Sequence, residues 1–331
     1  MRILIIGGTA FVGRHMTRAA IDRGHEVTLF NRGKTAADLF PEARHLTGDR
    51  NTDLSALADG SWDATIDVCA YFPRQVRSLA AALDGRGGQQ MYISTVSVYR
   101  APVAAGYTED APLAELADPE TEEITDETYG GLKVVCEREA TRLYGADNTT
   151  IVRPTYVIGP YDGTYRFTWW LDRLSRGGDV LAPGNPADPM QLIDARDMAT
   201  WVISLLERSV RGVFHAANPA PPYGFGDMLE AIAAEIAPPG TTFTWVDSSF
   251  LRAADADYAS LPLWSGGDPD QDVLAADPAA AFSAGLAPRP LGRTVADIRG
   301  EGWQPGTGPQ GIGMPADREA ELLAMWRSRS N

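Results

Sequence analysis

Two cysteines, Cys69 and Cys136, stand in 331 residues. Two thiols make no disulfide framework, and with only four histidines they do not build a structural zinc site, so no metal is expected. Long apolar runs are missing as well: none reaches the roughly 18 residues of a membrane span. The N-terminus lacks the charged-then-apolar pattern of an export signal, because its apolar run, Arg2 to Ile6, is too short and reads as a strand. The expected setting is the cytoplasm, with no membrane partner. Basic charge is in deficit, 29 Lys+Arg against 44 Asp+Glu, a net charge of −15. Such a chain repels phosphate backbones, and no lysine/arginine run offsets this, so nucleic acid is not expected as a ligand. Internal repeats are absent too. What remains is an ordinary globular composition, 44% hydrophobic, in a chain long enough for one large domain or two.

The most informative stretch is the first fourteen residues, MRILIIGGTAFVGR. Arg2 to Ile6 is a short buried-type strand, broken by Gly7 and Gly8. Apolar residues then recur at helical spacing: Phe11, Val12, His15, Met16, Ala19 and Ala20. A helix N-terminus offers unpaired N–H groups and a partial positive charge, so strand, glycine turn and helix together make a pyrophosphate site. Gly7 permits the tight turn, Gly8, Thr9 and Ala10 let backbone approach phosphate, and Gly13 lets the helix pack closely. The expected dinucleotide contacts here are Gly7, Thr9, Ala10, Phe11, Val12 and Gly13.

Further strands follow at Glu26 to Phe30, Arg44 to Thr47, Thr65 to Cys69, Gln90 to Thr95 and Thr149 to Pro154, with helices between, one of them over Gln75 to Leu83 after Pro73. That alternation implies right-handed crossovers and a parallel sheet. The expected fold is α/β, a Rossmann-type doubly wound parallel sheet with a smaller C-terminal α/β substrate domain. The dinucleotide domain is expected over 1–158, with 191–218 returning to it, and the substrate domain over 159–190 and 219–331. The second strand ends at Asn31-Arg32-Gly33-Lys34. An acidic residue there would hydrogen-bond the ribose 2′-hydroxyl of NAD. Neutral Asn31 with cationic Arg32 and Lys34 suits the 2′-phosphate of NADP, which is expected over NAD. Asp49, beside Arg50 at the end of the third strand, is placed to accept from the adenine amino group. Residues 101–128 are acidic and proline-bearing, and read as a long surface loop that covers the site or as a disordered insert. Thr128 or Asp126 is expected to cap the helix that follows.

Tyr129 and Lys133, four apart in YGGLK, share a helix face. A tyrosine hydroxyl with pKa near 10 is a poor base at neutral pH. A lysine ammonium one turn away favours the phenolate, so Tyr129 can exchange a proton with a substrate oxygen while Lys133 holds the nicotinamide ribose. The two intervening glycines suggest a helix thinned for substrate approach. A hydroxyl at the end of the fifth strand should complete the set, and Ser94, Thr95 and Ser97 all qualify.

These motifs resemble the extended short-chain dehydrogenase/reductase superfamily, the NAD-dependent epimerases and dehydratases. GGTAFVG, YISTVSVY, YGGLK, IVRPTYVIGP and QLIDARDMA occur in that order. Segments LPLW, GLAPRPLGRTVADI and REAELLAMW are similar to a reductase branch related to isoflavone reductases and chloroplast stem-loop-binding proteins. The resemblance implies Tyr129 as proton donor and acceptor, Lys133 as its activator and Thr95 as the polarising hydroxyl, with Ser94 and Ser97 in reserve. It implies that Cys69, Ala70 and Tyr71 line the cofactor and that Pro154, Tyr156 and Val157 border the nicotinamide. It also implies a homodimer, through the tyrosine-bearing helix and Gln75 to Leu83, although Ala80 to Ala82 would equally suit a monomer's internal packing. Val96-Ser97 stand where the dehydratases carry an aspartate-glutamate pair, which argues against sugar dehydration.

Three functions compete. The first is an NADPH-dependent reductase or dehydrogenase of a small polar or sugar-like carbonyl or alcohol. The second is a sugar epimerase with retained cofactor. The third is an inactive RNA- or protein-binding relative, disfavoured by the intact Thr95, Tyr129 and Lys133 and by the negative charge. Arg166, Arg173, Arg196, Arg252 and Arg289 are candidate clamps for an anionic substrate, and a surface ion pair is the default role of each.

Overall fold

The strand runs assemble into one seven-stranded sheet in a computed structural model that describes residues 1–36, 38–266, 273–309 and 311–329. In chain order the elements are β1 (Arg2–Ile6), α1 (Phe11–Asp22), β2 (Glu26–Asn31), β3 (Arg44–Thr47), β4 (Ala64–Asp67), α2 (Pro73–Leu83), β5 (Gln89–Ile93), α3 (Asp126–Tyr144), β6 (Thr149–Pro154), β7 (Tyr156–Ile158), α4 (Arg166–Ser175), β8 (Asp179–Pro183), β9 (Leu192–Asp194), α5 (Ala195–Glu207), β10 (Gly212–Ala216), α6 (Phe225–Ile236), β11 (Thr242–Val246), α7 (Ser248–Ala253), α8 (Ala279–Ser283), α9 (Leu291–Gly300) and α10 (Ala316–Arg329). The sheet order is β10-β6-β5-β4-β1-β2-β3, and all its pairings are parallel.

A central parallel strand is covered on both faces, so it needs an unbroken apolar run. Ile3, Leu4, Ile5 and Ile6 of β1 are at most 1% exposed. Ile3 and Ile5 join Met16 and Ala20 of α1 and Met198 and Val202 of α5 in one buried cluster. Leu4 and Ile6 face the other way, onto Leu79 and Leu83 of α2. On that same side Val76 packs with Cys136 and Ala140 of α3, so Cys136 serves as a small core residue. Each aliphatic side chain so covered contributes about 1.5–3 kcal/mol of transfer free energy.

The described residues divide into two compact units. The first comprises Met1–Val157, Leu192–Ala220 and Ala276–Pro288, and the second Ile158–Gln191, Pro221–Ala275 and Arg289–Asn331. In the second, Arg173 of α4 is committed to Glu319 of α10 (Nε to Oε1, 2.7 Å) and to the carbonyls of Gly177 and Asp179. Glu319 also accepts from the backbone N–H of Leu181 in β8. This buried set fixes α10, whose Leu322 and Leu323 are covered. No described helix is long and apolar enough to cross a membrane.

Several expectations need correction. β4 stops at Asp67 and β5 at Ile93, so Cys69 to Tyr71, Ser94 and Thr95 lie past the strands. The cap of α3 is Thr125, whose hydroxyl accepts from Thr128 N–H, while Thr128 Oγ1 accepts from Thr125 N–H. Thr128 is thus the reciprocal member of a capping box and Asp126 is the first helical residue. The loop before α3 is pinned rather than loose. Arg74 pairs with Glu122, Arg77 Nη2 lies 2.6 Å from Glu120 Oε2, and Glu109 accepts from the backbone N–H of His215.

The glycines of YGGLK have an internal cause. A Cβ on Gly130 would lie 2.1 Å from the Ser97 carbonyl oxygen, and one on Gly131 would lie 2.9 Å from Leu116 Cβ. The helix is thin there because this chain's own Ser97 backbone and Leu116 side chain lie against it, which accounts for both glycines without a substrate. Gly130→Ala is expected to destabilise by about 1–3 kcal/mol, since the obstacle is backbone and cannot rotate away. A urea midpoint unchanged from wild type would contradict this contact.

Candidate active site

At the carboxyl ends of β1, β2, β3 and β4 lies a cleft of about 520 Å³. Its floor is the glycine turn. Gly7 and Gly8 have φ of +107° and +93°, a region that favours glycine. A Cβ on Gly13 would lie 2.7 Å from Gly8 N, so the helix start packs directly on the turn. Thr17, fully buried, directs its hydroxyl to the carbonyls of Gly8 and Gly13, each at 2.9 Å. Asn31 donates to Gly7 O at 3.1 Å and accepts from Gly33 N–H at 2.8 Å. Its amide is thereby spent on holding the turn to β2. Arg32 and Lys34 line the cleft and are exposed. Asp49 also lines it, and its carboxyl is held below the usual range, first by the Asn51 backbone N–H and also by the nearby Arg32 and Lys34 charges.

In the cleft wall Arg50 forks onto Asp67, with N–O distances of 2.7 and 2.9 Å, and reaches Cys69 Sγ at 3.2 Å. Burial alone would raise the Asp67 carboxyl, but the Arg50 guanidinium outweighs it and holds the carboxyl low. A depressed carboxyl stabilises the fold above its unfolded pKa, about 3.9, and that contribution is lost as pH falls through the lower folded value. Asp67→Asn should cost about 3–5 kcal/mol at pH 7 by leaving Arg50 buried and unpaired. The gap between the wild-type and variant urea midpoints should narrow as the buffer is taken below pH 3; a gap independent of pH would refute the pairing. Burial pushes the Cys69 thiol up, so it is a poor nucleophile.

α3 carries the second part of the site. Lys133 is 3% exposed, and its Nζ donates to Ala70 O at 2.9 Å and to Ile93 O at 2.8 Å. The ammonium lies 4.4 Å from the Tyr92 ring centroid and 5.5 Å from that of Tyr71. Burial pushes it down to about 8. Tyr129, one turn earlier and half-buried, has its ring 6.4 Å from that of Tyr71. Thr95 caps the short turn Val96–Val98: its Oγ1 accepts from Ser97 N–H and donates to Ser97 Oγ, both at 3.1 Å. Ser94 Oγ is buried with no hydrogen-bond partner among the described residues.

The cleft therefore gathers Gly7, Thr9, Ala10, Phe11, Val12, Gly13, Asn31, Arg32, Lys34, Asp49, Arg50, Cys69 and Tyr71. Ala70, Ser94, Thr95, Tyr129, Lys133, Pro154, Tyr156 and Val157 are not in its lining. Ala70 is fully buried and contributes its carbonyl instead. Residues 3–217 match a single family of proteins, described as NAD dependent epimerase/dehydratase. The chain belongs to that family.

Among relatives in and around the family, the chain is 29% identical over 236 residues to the chloroplast stem-loop binding protein of 41 kDa b of Arabidopsis thaliana, covering 66% of this chain and 58% of that protein's length. It is 25% identical over 283 residues to the epimerase family protein SDR39U1 of Bos taurus, covering 80% of this chain and 90% of that one. Two solved structures share the fold. Human SDR39U1 with NADPH superposes with a TM-score of 0.65 at 21% identity, covering 90% of this chain and 99% of that one. UDP-glucuronic acid 4-epimerase from Bacillus cereus with NAD gives 0.64 at 16% identity, covering 90% and 97%.

An NAD(P) cofactor is typical of the family, and the residues present fit one. The turn leaves room for backbone alone at the phosphates, and the end of β2 presents two cations without ion-pair partners among the described residues. Sequence reasoning missed Thr17, Asn51 and Gln75. Asn51 and Gln75 line the cleft and are joined by a 2.8 Å hydrogen bond. No periodicity marks them; only the meeting of distant segments does. The five arginines suggested as clamps are otherwise engaged: Arg166 with Thr164 and Tyr258, Arg173 with Glu319, Arg196 with Asp194, Arg252 with Gly266 and Arg289 with Asp297.

Proposed function

We propose that this chain is an NADPH-dependent reductase or dehydrogenase acting on a carbonyl or alcohol of a small polar or sugar-like substrate. The observation that carries the reading is the cation pair Arg32 and Lys34 on a cleft floored by the glycine turn, with the Asn31 side chain already spent. A 2′-phosphate would find two positive charges at the end of β2 and no carboxylate among Phe30 to Lys34. The bound nicotinamide supplies or accepts the hydride. Tyr129 gives the proton to the substrate oxygen, or removes it in the reverse direction. Lys133 favours the phenolate by its charge. Thr95, with Ser97 at its side, polarises the substrate oxygen. Pro154, Tyr156 and Val157 border the nicotinamide. The setting is cytoplasmic, and the chain acts as a homodimer or monomer without nucleic acid.

The test uses NADPH deuterated at nicotinamide C4 with a panel of small carbonyls. The expected result is one carbon-bound deuterium per alcohol formed and one NADPH consumed. Interconversion of sugar stereoisomers with no net NADPH consumption would replace the reductase by the epimerase. No turnover, together with tight RNA binding, would replace both.

A further inference from the structure

Lys133 raises a problem of burial. An ammonium in a nearly water-free site must find partners for three N–H groups or lose its proton. Two are met by Ala70 O and Ile93 O. Among the described residues no carboxylate hydrogen-bonds it. The groups facing it are Asp67 from β4, Cys136 and Glu137 from its own helix, and Arg50, which acts against the charge. The remaining partners are two aromatic faces. Tyr92 is itself fixed, its hydroxyl donating to the same Ala70 carbonyl at 2.9 Å. Tyr71 is different. It is 41% exposed and forms part of the cleft wall. Its ring lies over Lys133 on one side and meets the Tyr129 ring at a tilt of 38°. Its backbone N–H is tied to Gln75 Oε1 at 2.8 Å, and Gln75 in turn donates to Asn51 of the cleft. Tyr71 therefore links the cofactor cleft with both members of the tyrosine-lysine pair.

We propose that Tyr71 is a positioning residue: its ring roofs the Lys133 ammonium, screens it from water and holds it toward Tyr129. The face of the ring does this, through its attraction for a cation, and the phenol hydroxyl is dispensable. The catalytic consequence rests on the reductase reading above; the roof itself does not.

The chain makes the test simple, because it has 27 arginines and two lysines, Lys34 and Lys133. Lys34 is exposed and serves as an internal standard. Reductive methylation of the intact protein, read by peptide mass, should label Lys133 at least about tenfold more slowly than Lys34, as burial of the amine requires. Tyr71→Ala should remove most of that protection and leave Lys34 unchanged. Tyr71→Phe should keep it. In turnover, Tyr71→Ala should lower kcat by roughly tenfold, on the scale of one lost cation–π contact, with NADPH affinity within about threefold of wild type. Tyr71→Phe, which keeps the ring, should recover most of the kcat that Tyr71→Ala loses.

Equal protection of Lys133 in wild type and Tyr71→Ala would overturn the proposal. Lost protection with undiminished kcat would overturn the positioning role. Lost protection in a protein that binds neither NADPH nor NADH would leave the roof standing and sink the reductase reading instead, so the two failures can be told apart.

Discussion

Tyr129→Phe is expected to lower turnover by about 10²–10⁴-fold, the range supplied by a positioned general acid, while NADPH affinity stays within about twofold. The substitution removes one oxygen from a half-buried ring that lies outside the cleft lining, so the cofactor contacts on β1, β2 and β3 are untouched. Loss of NADPH affinity in step with turnover would make Tyr129 a structural residue. A pH dependence belongs with this prediction. Burial lowers the Lys133 ammonium to about 8, so the charge that supports the phenolate is present below pH 8 and is lost above it. Reduction should fall on the alkaline side with an apparent pKa near that value, and the fall should be missing in Lys133→Met.

Removing both cations at the end of β2 should have the next largest effect. Arg32→Ala with Lys34→Ala is expected to weaken NADPH binding by roughly 30–100-fold, that is about 2–2.7 kcal/mol, and to leave NADH within about twofold. Neither side chain has an ion-pair partner among the described residues, so their loss strands no buried group and the fold should keep its stability. The two lie in solvent, so the difference should shrink in about 1 M salt, where the Debye length falls to roughly 3 Å. Equal losses for NADPH and NADH would mean that the pair acts on the pyrophosphate or on the turn itself.

What could be read before the structure depended on how local its cause was. β1, β3 and β6 have the bounds read for them from the sequence, β1 from its apolar run and the glycines that end it. The glycine turn was legible because strand, turn and helix follow each other directly. β4 and β5 end two residues before the runs Thr65 to Cys69 and Gln90 to Thr95 do; at β4 the apolar character of Val68 and Cys69 continues into the cleft wall after the ladder has ended. The steric cause of Gly130 is not legible in the sequence, since its neighbour, Ser97, is 33 residues away and no spacing rule joins them. The Arg50–Asp67 fork, the Asn31 clamp and the Lys133 carbonyl cage are likewise products of crossing segments. In the C-terminal half the pattern is irregular, and of the arginines suggested as a substrate clamp Arg173 is buried against Glu319.

The most direct measurement is a titration of the purified protein with NADPH and with NADH, followed by nicotinamide fluorescence after any bound nucleotide has been recorded. The account predicts tight, freely exchanging NADPH and weaker NADH. NAD that co-purifies and does not exchange would contradict it, removing the role given to Arg32 and Lys34 and placing the epimerase first.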